Sequence, residues 1–277
     1  MDLYNDVCYK CSKLVTGNYS TSFSLGVSLL HKDFVMPVHA IYGFVRFADE
    51  IVDTFHGVNK KELLDRFIKD THDAIDQKIS MNPILQCFQH TVNKYNIDME
   101  LINTFLRSME MDLEQTDYSQ SGFEEYILGS AEVVGLMCLK IFVEGDEQKY
   151  LELKADAMKL GSAFQKINFL RDLKADVHTL GRSYFPGFDA SNFNAATKKE
   201  IEADIQKDFD AGLRGIKKLP RKARLGVYLA YIYYVSLFEK IRGTAPEKVM
   251  STRIRISDPR KYTLFVGSYL KHSFNLI

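Results

Sequence analysis

Residues 38–56, VHAIYGFVRFADEIVDTFH, pose a puzzle whose solution fixes the fold. Asp49 and Asp53 stand four residues apart, so a helix would place two like charges on one face, where they repel by roughly 0.2–0.5 kcal/mol in water and by more once desolvated. Something must compensate. Projected on a helix, His39, Tyr42, Arg46, Asp49, Asp53 and His56 recur at intervals of 3, 4, 3, 4 and 3 and form one polar ridge. The remaining faces are apolar apart from Gly43, Glu50 and Thr54. A surface helix is apolar on one stripe and polar elsewhere; this one is inverted, which predicts a helix inside the protein with its ridge facing an internal cavity.

The segment FQKINFLRDLKADVHTLGR, residues 164–182, repeats the pattern. Gln165, Asn168, Asp172 and Asp176 fall at intervals of 3, 4 and 4, with Arg171, Lys174 and Arg182 close by. Phe164, Ile167, Phe169, Leu170 and Leu173 supply a packing face. Two acidic ridges on two buried helices require cations between them. Oxygen-only clusters without a matching set of His and Cys suit Mg²⁺, with Mn²⁺ as a substitute, and Mg²⁺ is normally completed by water and by phosphate oxygens of a substrate. The expected substrate class is therefore a diphosphate. Ions held there, with Arg46, Arg171 and Arg182, would neutralise charge on a departing diphosphate and leave a carbocation, with no nucleophilic serine or cysteine needed. Such a cation needs a dry chamber with aromatic faces. Among 19 phenylalanines and 15 tyrosines, Phe23, Tyr42 and Tyr234 are the candidate wall residues.

The rest of the chain reads as helix too, giving an all-α class. Apolar spacing predicts helices over 3–16, 21–29, 35–55, 60–78, 83–95, 98–115, 122–143, 147–178, 197–213, 219–242 and 259–272, parted by turns such as HGVN (56–59), SMNP (80–83) and EGDE (144–147). Pro37 is predicted in the first turn of its helix, where a missing N–H costs little. The stretch GRSYFPGFDASNFNAAT, 181–197, is the candidate functional loop. A chain of 277 residues that is 46% hydrophobic suffices for one domain over 1–277 built around a central cavity.

Charge and cysteine usage narrow the partners. Basic and acidic residues number 36 each, so no overall basic field argues for nucleic acid. Cys8, Cys11, Cys87 and Cys138 are scattered as in a reduced intracellular protein, and the lone CxxC of Cys8 and Cys11 reads as two buried thiols. The opening MDLYNDVCYK lacks a basic secretory leader, and the longest uncharged run, LGVYLAYIYYVSLF (225–238), falls short of the roughly 20 residues that span a bilayer. The expectation is a cytoplasmic protein, with peripheral contact to the inner membrane face through an apolar channel mouth.

These residues resemble the squalene and phytoene synthase family of head-to-head prenyltransferases. AIYGFVRFADEIVD, Ala40 to Asp53, matches the family's A-x-Y-x-F-x-R pattern with its DxxxD; Gln165 to Asp176 matches Q-x-x-N-x-x-R-D-x-x-x-D; Arg182 to Pro186 matches R-x-Y-x-P. The resemblance implies a helical bundle of the isoprenoid-synthase type. It implies that Asp49, Asp53, Asp172 and Asp176, assisted by Asn168, hold Mg²⁺ against two prenyl diphosphates. Arg46, Arg171 and Arg182 would grip diphosphate, Ser20 and Ser22 of YSTSF would meet it at the entrance, and Gln165 and Tyr42 would line the chamber. Asp112 in SMEMDL also matches a family position and reads equally well as a structural aspartate.

Two departures stand out. Tyr19 replaces a basic residue that often heads the S-x-S-F motif, and YILGSAEVVG (126–135) carries Leu128 and Glu132 where the family has tyrosine and glycine. The carboxylate of Glu132 is thereby expected on a cavity helix, paired with an arginine or a metal. The implied reaction joins two geranylgeranyl diphosphates into phytoene through a cyclopropyl intermediate. Squalene or dehydrosqualene formation from two farnesyl diphosphates is the alternative, with NADPH needed only for squalene. A non-catalytic assembly protein on the same fold is the alternative of another class.

Overall fold

In the computed structural model, residues 1–114, 118–175, 184–186 and 193–273 are described, and among them there is no strand. The first six helices are α1 (Asp2–Tyr19), α2 (Thr21–Ser28), α3 (Lys32–Asp53), α4 (Lys60–Gln77), α5 (Pro83–Tyr95) and α6 (Met99–Glu114). Then come α7 (Gln120–Ile127), a π-helical turn over Leu128–Glu132, α8 (Val133–Phe142) and α9 (Glu147–Ala175). The described chain ends with α10 (Ala195–Lys218), α11 (Arg221–Arg242), α12 (Pro246–Ser251) and α13 (Asp258–Ser273). Asp176, Arg182 and most of the predicted loop lie outside the described residues.

Helix α3 is the axis of the bundle and touches α1, α2, α4, α5, α6 and α8. Its apolar faces account for this: Phe44 is fully buried and stacks on Phe88 of α5 with centroids 3.8 Å apart, with Phe67 and Phe105 against the same ring. Removing a ring from such a position costs about 3–5 kcal/mol. The helix begins at Lys32, earlier than expected, so Pro37 lies beyond the first turn. Proline cannot donate to the carbonyl four residues back. That carbonyl, of Asp33, instead accepts from the Tyr95 hydroxyl at 3.4 Å.

The sequence reading joins 122–143 into one helix; the structure inserts the π turn, whose extra residue lets small side chains face two neighbours at once. A Cβ on Gly129 would meet Ser108 of α6 at 2.6 Å, so the turn and α6 approach closely only because this residue is glycine. The predicted helix 197–213 is longer, Ala195–Lys218, and starts in a capping box between Asn194 and Thr197. Short α12 was not foreseen.

Candidate active site

A cavity of about 300 Å³ opens between α2, α3, the π turn, α8, α9, α10 and α11. Its wall on α3 is Val38, Ile41, Tyr42 and Val45, so the chamber face is largely apolar and the acidic ridge continues beyond it. Phe23 and Tyr42 line the wall as expected and stack with centroids 4.9 Å apart. Gln165 also lines it. Burial pushes the Tyr42 phenol up to about 12. The polar ridge predicted on α3 divides: His39 is buried and is not a cavity residue, whereas His56 lies past the helix end and is exposed. A straight helix drifts off a strict 3-4 repeat, and α3 stops at Asp53.

Beyond Val45 the ridge turns electrostatic. Arg46 pairs with Glu50 and lies 3.9 Å from Asp49, while its Nε is buried without a partner among the described residues. Its guanidinium sits 4.3 Å above the Tyr19 ring. This answers the missing basic residue of the YSTSF motif: Tyr19 contributes a π face that holds the cation of Arg46 in that neighbourhood. Burial would raise the Glu50 carboxyl, but the bond and charge of Arg46 outweigh it and hold Glu50 below its usual range. Asp49 goes the other way. Burial first, then the charge of Asp53, with Asp112 and Glu50 adding and Arg46 opposing, push it up to about 8. Asp49 thus shares Arg46 with Glu50, and Asp53, one turn further on, is exposed at the end of α3.

The second ridge sits on the last turns of α9. Asp172 receives Arg171 Nε at 3.1 and 3.2 Å and, from far along the chain, Arg253 Nε at 2.7 Å. Asn168 Nδ2 donates to Gln165 at 3.4 Å, and Tyr234 donates its hydroxyl to Asn168 Oδ1 at 3.1 Å. Tyr234 is therefore not a wall residue: its hydroxyl seeks Asn168, and its ring stacks at 4.0 Å on Phe164, which does line the cavity. Ser20 caps α2, accepting from Phe23 N at 3.3 Å, and Ser22 is half-buried in the first turn of that helix. Asp112 is buried and receives Tyr126 at 2.7 Å and Tyr184 at 3.3 Å, the latter ring stacked on Phe169. Sequence reasoning missed Arg253 and Glu50; the position of Glu50 four residues after Arg46 was a readable signal, whereas nothing local marks Arg253.

Glu132 is corrected. Ser130 and Ala131 face the cavity, while Glu132 is absent from its lining and lies in the field of Lys159, Asp208 and Lys166. There Lys166 donates to Asp208 at 2.7 Å, and Ser162 donates to the same carboxylate at 2.8 Å. Burial, with Asp208 adding and the two lysines opposing, raises Glu132 to about 6. The cations in whose field it lies are Lys159 and Lys166 of α9, where an arginine was expected. The π turn rotates the helix at this point, which is why the sequence register misplaced it.

Among the described residues no three His, Cys, Asp or Glu side chains gather closely enough to cage a metal unaided. The donor set nevertheless fits Mg²⁺, which keeps several waters and takes only one or two carboxylates. The repulsion between Asp49 and Asp53, which helps to raise Asp49, is the feature that a divalent ion would relieve.

Residues 16–260 match the family model described as squalene/phytoene synthase. The chain is similar to phytoene synthase 2 of Solanum lycopersicum, with 26% identity over 98% of this chain and 92% of that protein. It is also similar to the 4,4'-diapophytoene synthase of Staphylococcus haemolyticus, with 26% identity over 72% of this chain and 70% of that protein. The fold is similar to a crystal structure of a dehydrosqualene synthase in complex with a ligand, with a TM-score of 0.81 and 20% identity over 96% of this chain and 98% of that one. An all-helical bundle, an apolar chamber and a match across most of the chain agree, and the protein belongs to the squalene/phytoene synthase family of prenyltransferases.

Proposed function

We propose that the protein condenses two geranylgeranyl diphosphates head-to-head into phytoene, with Mg²⁺-assisted release of diphosphate. The observation that carries this reading is polarity: an apolar chamber bordered by Gln165 runs into a rim of carboxylates and arginines. Asp49 and Asp53 from α3, and Asp172 with Asn168 from α9, are the groups that would hold the ions, joined by Asp176 beyond the described residues. When bound, Mg²⁺ supplies a Lewis acid that neutralises charge on the leaving diphosphate. Arg46 and Arg171 bind the diphosphate oxygens, and Arg182, outside the described residues, is assigned the same task. Ser20 and Ser22 flank the entry. The stacked pair of Phe23 and Tyr42 presents π density to the allylic cation, and the surrounding aliphatic wall keeps water away.

Depth supports the longer substrate. From Gln165 to Leu153 α9 advances twelve residues along the wall, about 18 Å at the helical rise. With carbon–carbon bonds of about 1.5 Å, an extended C20 chain reaches roughly 19 Å and a C15 chain roughly 14 Å. Two farnesyl diphosphates yielding squalene or dehydrosqualene are the second reading, favoured by the likeness to a dehydrosqualene synthase fold. NADPH is required only if squalene is the product.

The test is to supply purified protein with Mg²⁺ and either diphosphate, with and without NADPH, and to identify the hydrocarbon. Phytoene from the C20 substrate is expected. Faster turnover of farnesyl diphosphate would establish the second reading, and no diphosphate release from either would leave a non-catalytic assembly protein.

A further inference from the structure

Helix α1 turns an apolar stripe away from the bundle. Leu3, Val7, Lys10 and Leu14 recur at intervals of 4, 3 and 4, so they share one face, and the three apolar members are 78%, 47% and 68% exposed. The opposite face, Cys8, Ser12 and Thr16, is fully buried, and the helix packs on α3 and α5. A Cβ on Gly43 of α3 would meet Ser12 Oγ at 2.7 Å, so α1 and α3 approach closely and the stripe points outward from a firm seat. An outward stripe on a packed helix is ordinarily polar; one at 4-3-4 spacing has instead the pattern of a seam between two helices.

Charge says which partner fits. Along α1 the acids Asp2 and Asp6 come first and the bases Lys10 and Lys13 follow. Asp6 and Lys13 stand seven residues apart, about two turns, and so border the same edge of the stripe. When two copies lie antiparallel about a two-fold axis between Val7 and Lys10, Leu3 meets the partner's Leu14 and Val7 meets the partner's Lys10. Asp6 then faces the partner's Lys13, twice over by symmetry. Lys10, held by Asp6 at 2.6 Å, lays its aliphatic stem over the partner's Val7 and keeps its ammonium at the edge. A parallel pair would instead set Lys10 against Lys10 inside the seam. A lipid surface suits this face less, because its acids cancel its lysines and Lys10 interrupts the apolar run. No helix among the described residues is long and apolar enough to cross a membrane. Exposed Ile79 and Met81 extend the apolar surface: Tyr4 donates its hydroxyl to the Ser80 carbonyl at 2.6 Å and so fixes their turn beside the first turn of α1.

We propose that the outward face of α1, Leu3–Val7–Lys10–Leu14 with Asp6 and Lys13 on its edge, is the contact through which two copies of the chain pair antiparallel. One helix and a neighbouring turn bury less than the roughly 1,200 Å² at which stable interfaces begin, so the pair is weak and forms in the micromolar range. The inference does not depend on the catalytic reading, since association needs no substrate.

Sedimentation equilibrium of the full chain over a concentration series tests it. The wild-type protein is expected to pass from monomer to dimer as concentration rises. Joint substitution Leu3→Ser, Val7→Ser and Leu14→Ser should weaken the dimer at least about tenfold, each loss counting twice across the two-fold axis. Asp6→Lys alone and Lys13→Asp alone each set two like-charged pairs face to face and should weaken it similarly. An equimolar mixture of those two variants should recover the dimer as a heterodimer, because the lysines of one chain then face the aspartates of the other. Melting temperatures, read where the wild type is monomeric, should agree within about two degrees, since every substituted position is exposed. A wild-type protein that stays monomeric, a dimer that survives the triple substitution, or a mixture that fails to recover would overturn the proposal. So would a monomeric wild type that floats with lipid vesicles while the triple variant does not.

Discussion

Arg253 reaches across eighty-one residues of sequence to place its Nε 2.7 Å from Asp172 Oδ1. With Arg171 on the same carboxylate, Asp172 holds two guanidinium groups, whereas Asp49 shares one with Glu50. Asp172 and Asp49 are thus unequal before any ligand arrives: two guanidinium groups lie on the first, and the second has Arg46 at 3.9 Å. A diphosphate would meet arginines first on the α9 side, and a metal would gain most on the α3 side.

Removing Arg253 should therefore weaken catalysis without weakening the fold. An ion pair this exposed contributes about 0–1 kcal/mol to stability. Arg253→Ala is expected to lower kcat/KM at least about tenfold while the melting temperature moves by only a degree or two. Steady-state kinetics alongside thermal melts decide this, and unimpaired turnover would remove Arg253 from the site.

Asp49→Asn should trade function for stability. The carboxyl holds its proton up to about pH 8 in the folded protein but only to 3.8 when unfolded, so its ionisation subtracts stability progressively as pH rises between those values. In metal-free buffer the asparagine variant is expected to melt several degrees above wild type at pH 8 and level with it near pH 4, while releasing no diphosphate. A variant that melts lower at pH 8, or that turns over substrate, contradicts the assignment.

His39 supplies a second pH dependence of opposite sense. Burial, with the charge of Lys13 adding, lowers its pKa from 6.5 to about 4, and its Nδ1 has no partner among the described residues. The unfolded chain takes up this proton first, so stability is full above about 6.5 and is lost as pH falls toward 4, by about 3 kcal/mol. Denaturant titrations at pH 7 and pH 4.5 should show the loss in wild type and a smaller one in His39→Gln. Parallel losses in both proteins would assign the effect to other groups.

The floor of the chamber should set chain length. Leu153→Phe fills the deep end at an overpacking cost of about 1–3 kcal/mol. Turnover of the C20 diphosphate is expected to fall at least about tenfold, with the C15 diphosphate spared. Equal losses on both substrates would mean that the tail does not reach Leu153.

How much of this was legible beforehand differs from residue to residue. The all-helical class, the burial of α3 and the pairing of Asp49 with Arg46 follow from spacing, because contacts within a helix repeat every three or four residues and leave a periodic trace. The identity of the acids and their expected taste for oxygen-loving ions were also readable, since they depend on side-chain chemistry alone. The start of α3 was misread by a few residues, because Pro37 looks like an N-terminal signal and the Tyr95 hydroxyl that compensates it lies far away in sequence.

The primary structure by itself determined the all-helical class and which faces of the long helices carry charge, because those choices are settled over one or two turns. Only the folded packing decided that Arg253 closes on Asp172, that Glu132 turns from the chamber toward Lys159 and Lys166, and that Tyr234 serves Asn168 rather than the wall. Those outcomes depend on how distant helices cross, and on a π turn that shifts the register by one residue, neither of which leaves a periodic mark in the chain.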